Sequence, residues 1–246
     1  MDLINKSART SGMLYLIVVV TGIFSLIYVP SQLNVPGDAL ATVNNIMASA
    51  TLFRLGIVSL MINQIAFLLL PFMLYQMLHY VSKNAAVLMV AFAVVSVPIA
   101  MVGIAYKLDV LSLLSGAGYL ETFTTAQLHA KVMLSLSAYS NAILVTTIFW
   151  GLWLLPFGYL VFKSGFLPRI LGVLLMLGCF GNLIDVFAGV LVPGHTASVI
   201  SNFVTLPSGF GEIGICLWLL IMGAGRHAPG ADQGVQAAGR AADSRN

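Results

Sequence analysis

Apolar runs long enough to cross a bilayer recur six times in this 246-residue chain, and short polar turns separate them. A spanning helix needs about 20 such residues, and a helix pairs nearly all its own peptide groups in hydrocarbon. The runs cover about residues 10–30, 51–78, 85–106, 128–161, 167–191 and 203–222. Only 8% of the residues are charged and the mean hydropathy is +0.99, against about 25% charged in soluble domains. Such a chain cannot cover a water-facing surface, so lipid is its solvent. The expected fold is all-α: a polytopic bundle of six transmembrane helices in a domain over 1–224, with a tail over 225–246. The tail is Gly, Ala, Asp, Gln and Arg, too polar to bury a core, and reads as disordered.

The stretch Phe149–Gly172 shows the repeating unit: the end of a hydrophobic helix, a basic turn, and the start of another helix. Trp150, Trp153, Phe157, Tyr159 and Phe162 gather near the turn, where aromatic rings mark a membrane boundary. Ser164 and Gly165 make the turn, and Pro168 suits the first turn of the next helix. Pro71, Pro98 and Pro156 inside the runs predict kinks. The opening Met1–Arg9 followed by an apolar run resembles a secretion signal. No small-x-small cleavage site follows, and the run reaches spanning length, so it reads as an uncleaved first helix.

Six spans put both termini on one side. Eight of the eleven Lys and Arg residues share that side: Lys6, Arg9, Lys83, Lys163, Arg169, Arg226, Arg240 and Arg245. The excess of positive charge places both termini in the cytoplasm, and the chain in the cell membrane as a bacterial inner-membrane protein. Asp38 predicts a capped interfacial helix over residues 39–50, and a second such helix is expected at Val110–Leu114. LLPF occurs at Leu69–Phe72 and again at Leu154–Phe157, an echo of the kind a parallel duplication leaves.

Three segments carry a family resemblance: LYLIVVVTGIFSLIYVPSQL, LFRLGIVS, and LWLLPFGYLVFKSGFLPRILG. Together they resemble an uncharacterised bacterial family of polytopic membrane proteins, known as domain of unknown function 4386. The resemblance runs from about Lys6 to Met222, and KSGFLPRILG is its most specific part. It implies a membrane bundle and brings no activity or catalytic residue with it.

Function must rest on the few polar residues inside the spans, since each ionisable group there is costly. Counting about 1.5 Å per residue puts Arg54, Lys131, Asp185 and Glu212 in the outer half, with Asn63, Gln64, Asn141 and Asn182 there or at the midplane. These eight define a candidate polar pocket open to the outside. Asp185 and Glu212 are its acids; Arg54 and Lys131 pair with them or touch a ligand. The alternative is that the four charges form structural ion pairs. Glu212 follows TLPSGFG, where proline and glycines predict an interrupted helix.

Cys179 and Cys216 read as small packing residues. The histidines lack metal-ligand spacing; a site joining His129, His195 and Glu212 is the one metal arrangement to weigh. No metal, cofactor or nucleotide motif is present, and the basic residues fall in separate turns, which excludes a nucleic-acid surface. The expected partners are the lipid bilayer, a small amphiphile or a partner membrane protein, with homo-oligomers allowed. A binding protein ranks first, a small proton-coupled transporter using Glu212 and Asp185 second, and an intramembrane enzyme last, since no catalytic constellation is visible.

Overall fold

The computed structural model describes residues 2–192 and 199–223. The expected tail and His195 lie outside the described residues. Helix α1 is α-helical over Asp2–Gly22, π-helical over Ile23–Tyr28, and α-helical again over Val29–Leu33. A short α2 (Ala39–Ala48) precedes α3 (Ala50–Leu78), α4 (Lys83–Leu113), α5 (Thr125–Lys163), α6 (Arg169–Leu191) and α7 (Val199–Ile221). Every helix except α2 contains a segment long and apolar enough to cross a membrane, six in all.

Local chemistry sets the helix ends. The Asp38 carboxylate accepts from the Ala41 N–H at 2.8 Å and starts α2 where the sequence predicts it. Thr124 and Gln127 form a reciprocal capping box that starts α5 three residues before the expected point. The interfacial helix expected at Val110–Leu114 does not form separately, because α4 continues unbroken to Leu113. Pro71, Pro98 and Pro156 all lie inside helices that continue past them. With 39 residues, α5 is about 58 Å long at 1.5 Å per residue. That exceeds a hydrocarbon core of about 30 Å, and α2 packs against α5.

The six long helices form a closed ring. Each packs against the next in chain order, and α7 returns to α1. Small residues set how closely they approach, as expected where lipid removes the hydrophobic drive between helices. A Cβ on Gly158 of α5 would sit 2.6 Å from the Gly172 carbonyl oxygen of α6. On α6, Gly178 would strike the Ser208 Cα of α7 at 2.6 Å, and Gly181 meets the Val204 carbonyl. At the α1–α7 seam, a Cβ on Gly12 would lie 2.8 Å from the Leu220 nitrogen. Cys179 and Cys216 are free and buried, in keeping with packing roles.

The side chains divide by direction. Tyr15, Leu70, Leu74, Trp153 and Phe157 fill one inner cluster toward the end where α1 begins and α7 ends. Val29, Phe53, Ile57 and Ile104 fill a second toward the opposite end. Ile65, Val102, Phe180 and Phe203 face outward, a coat that suits lipid and not water. Two of the aromatic residues expected at the membrane boundary are instead core. Trp153 and Phe157 are buried, and Trp150 packs on Phe67. Tyr159 is exposed, and Phe162 lies under the Arg169 guanidinium. The Tyr80 hydroxyl donates to the Ser164 carbonyl at 2.8 Å, tying the α3–α4 turn to the α5–α6 turn. Partial burial raises the pKa of that hydroxyl, so it stays a donor.

Placing a methyl group between α5 and α6 is expected to push them apart. Gly158→Ala should lower stability by about 1–3 kcal/mol, the cost of overpacking. Gly209→Ala, with nothing within 4 Å of its Cβ position, should leave stability unchanged or raise it. Thermal unfolding in detergent compares the two; equal losses would contradict this account of the glycine contacts.

Candidate functional site

A cavity of about 520 Å³ lies inside the ring, lined by residues of α1, α3, α5, α6 and α7. Its polar lining includes Asn63, Thr147, Asn182, Thr205, Ser208 and Glu212. Glu212 is nine residues from each end of the segment Phe203–Ile221, so it sits at mid-depth rather than in the outer half. The expected helix interruption before it does not occur: α7 is continuous through Pro207, and Gly211 serves to pack on Leu175.

Aromatic rings bound the cavity on one side. Trp153 stacks on Phe157 with centroids 5.0 Å apart and meets Phe67 edge-on at 5.1 Å. Tyr15 lies 6.4 Å from both Trp153 and Phe157. It is fully buried, and its hydroxyl interacts electrostatically with the Glu212 carboxyl.

A polar seam between α1 and α3 supports the opposite side. The Asn63 amide donates to the Val18 carbonyl at 2.7 Å and to the Thr21 hydroxyl at 3.0 Å. Ser25 and Ser59 both donate to the Thr21 carbonyl. These bonds hold α1 just where it widens into the π-helical stretch, in which the Val29 N–H reaches back to the Phe24 carbonyl. Such stretches are rare and recur at functional sites. Ile23, Leu26 and Ile27 of that stretch line the cavity together with Gly209 and Ile213 of α7. All five are exposed. Since α1 and α7 touch at Gly12 and Leu220 near the other end, the cavity opens sideways between them, toward lipid.

Of the eight residues expected in a pocket, the cavity lining takes Asn63, Asn182 and Glu212. Gln64 adjoins it by donating to the Asn63 side-chain oxygen at 3.1 Å. Arg54, Asn141, Lys131 and Asp185 are not in the lining. Helical rotation explains most of this, at about 100° per residue. Arg54 precedes Asn63 by nine residues and so points about 180° away; it is exposed. Asn141, six residues before Thr147, is likewise turned outward and exposed. Lys131 lies near the start of α5, its ammonium over the Phe123 ring at 4.6 Å. Asp185 is one turn beyond Asn182 toward the end of α6. Of the four charged residues, Glu212 alone is in the lining of this cavity. His129 lines a separate recess with Glu121 and Phe123, away from Glu212.

Reasoning from sequence missed Tyr15, Trp153 and Lys107. Tyr15 looks like an ordinary apolar-run residue, and Trp153 reads as a boundary aromatic, not as part of the cavity wall. Lys107 stands one residue past the expected end of its span, and only the true length of α4 shows that it is buried.

The ring of spanning helices with an internal, laterally open cavity defines a polytopic α-helical membrane bundle. The chain belongs to the family described as "Domain of unknown function (DUF4386)", which matches residues 10–223. An uncharacterized protein of Archaeoglobus fulgidus is 30% identical over 155 residues, covering 61% of this chain and 72% of that protein. No solved structure matches.

Asn63 is expected to be the structural keystone of the cavity. Asn63→Ala should cost about 1–3 kcal/mol by removing its bonds to the Val18 carbonyl and the Thr21 hydroxyl and leaving the buried Gln64 amide without its acceptor. The loss is measured by unfolding in detergent, with Asn141→Ala, an exposed position, expected to change stability by less than about 0.5 kcal/mol.

Proposed function

We propose that this protein binds a small amphiphile that enters from the bilayer between α1 and α7, with Glu212 as the polar contact. The observation that carries the reading is a half-buried glutamate midway along its spanning segment, in the lining of a cavity of about 520 Å³. That volume falls within the range of small-molecule sites, about 300–1,000 Å³. The apolar mouth formed by Ile23, Ile27 and Ile213 suits an acyl or other hydrocarbon part. The polar inner lining of Asn63, Asn182 and Ser208 suits a hydroxyl, amide or amine near the carboxyl. The setting is the cell membrane, with both termini in the cytoplasm, as the distribution of basic turns supports.

A proton-coupled carrier would use the same carboxyl. Because Asp185 is not in the cavity lining, that reading rests on Glu212 alone and ranks below binding. A homodimer or a partner helix at the lateral mouth is a further form of the same proposal.

The deciding experiment is native mass spectrometry of the full chain purified in mild detergent. A retained small molecule is expected, and Glu212→Gln should lower its occupancy about tenfold, as loss of one charge-assisted hydrogen bond implies. A bare protein, or a retained molecule indifferent to Glu212→Gln, would refute the reading. Trp153→Ala, which enlarges the same cavity, should admit bulkier molecules at a stability cost of about 3–5 kcal/mol.

A further inference from the structure

Lys107 is the most buried cation among the described residues, with 4% of its surface exposed. It lies six residues before the end of α4, about 9 Å along the helix. A lysine at such depth ordinarily extends its ammonium to the interface; this one does not. Its nitrogen sits 4.2 Å from the centroid of the Tyr139 ring and 5.7 Å from that of Phe53. Two aromatic faces offset part of the cost of burying the charge. They accept none of its three N–H donors in a strong hydrogen bond. No charged side chain of the described residues offsets the burial. Asp109, two residues on, is exposed.

Lys107 lines a cavity of about 350 Å³ at the end of the bundle away from the start of α1 and the end of α7. Tyr139 also lines it, and the Tyr139 hydroxyl is buried without a hydrogen-bond partner. A buried cation and a buried phenol without a hydrogen-bond partner thus line one recess. Asn34 and Ser140 stand at its exposed edge, and Val29, Leu33 and Leu136 make the rest apolar. Leu26 is common to this cavity and the one around Glu212.

We propose that Lys107 and Tyr139 bind an anionic group, a phosphate or carboxylate, in this recess. A single anion there accepts from both the ammonium and the phenol, and charge-assisted bonds of this kind are the strong ones. The apolar lining suits an anion carried on a hydrocarbon chain. The site does not depend on Glu212: it lies at a different depth and is recognised by the opposite charge.

The test uses the full chain in a neutral detergent and compares dodecyl phosphate, dodecanoate, dodecanol and inorganic phosphate by occupancy in native mass spectra. Dodecyl phosphate and dodecanoate are expected to bind and dodecanol to bind far less. Lys107→Met should lower occupancy by dodecyl phosphate about tenfold, the loss of one charge-assisted bond. Lys107→Arg should retain it. Inorganic phosphate that displaces dodecyl phosphate at equal concentration would support the anion site and assign it to a free ion; failure to displace would assign it to a headgroup. Equal binding of dodecanol, or undiminished binding by Lys107→Met, overturns the proposal. If Lys107→Met does not fold, Tyr139→Phe decides: several-fold weaker binding supports the site, and unchanged binding overturns it. Glu212→Gln, which removes the other cavity's carboxyl, should leave dodecyl phosphate occupancy unchanged, so the two sites are judged separately.

Discussion

A peptide group left unpaired in hydrocarbon costs several kcal/mol, and every long helix here is arranged around that cost. The helices satisfy their own backbones, so association between them rests on shape and on a few shared hydrogen bonds. Glycine supplies the shape. Gly158 and Gly172 bring α5 and α6 together at backbone distance, and Gly178 and Gly181 do the same for α6 and α7. Where α1 departs from ordinary α geometry, α3 supplies the bonds: Asn63 and Ser59 reach the Val18 and Thr21 carbonyls. The irregular stretch is therefore tolerated where a neighbouring helix braces it.

Aromatic bulk then decides where the interior is full and where it is hollow. Trp153, Phe157, Phe67 and Tyr15 pack ring against ring around one end of the bundle. Beyond them the lining changes to small and polar groups, Ser208, Gly209 and Asn182, which cannot fill the same width. The cavity is thus a consequence of a size gradient along the interior, and Glu212 stands at the step. Lys107 marks a second step at the far end, where rings surround a cation rather than one another.

The ends of the spans were legible in the sequence because composition alone limits them. Helices α3, α5 and α6 agree with expectation to within three residues, and Asp38 gave the short interfacial helix its start. The direction of each side chain was not legible. In water, the polar face of a helix shows which side is out. In lipid, both sides are apolar, and Ile65 outside looks no different from Leu70 inside. Depth could be counted residue by residue, but rotation about the axis could not be anchored. That is why Arg54 and Asn141 were grouped with Asn63 and Glu212 although they point away. It is also why Trp153 read as a boundary residue: its position near a basic turn was visible, and its inward direction was not.

The ring has one seam that the order of the chain does not make local, between α1 and α7. During synthesis, α1 and α3 to α6 can pack as each emerges, but the face of α1 around Gly12 must wait for the last span. Until then, that face has no helix against it. Glu212 is carried by that last span, so the acid is delivered into the interior in the same step that seals it.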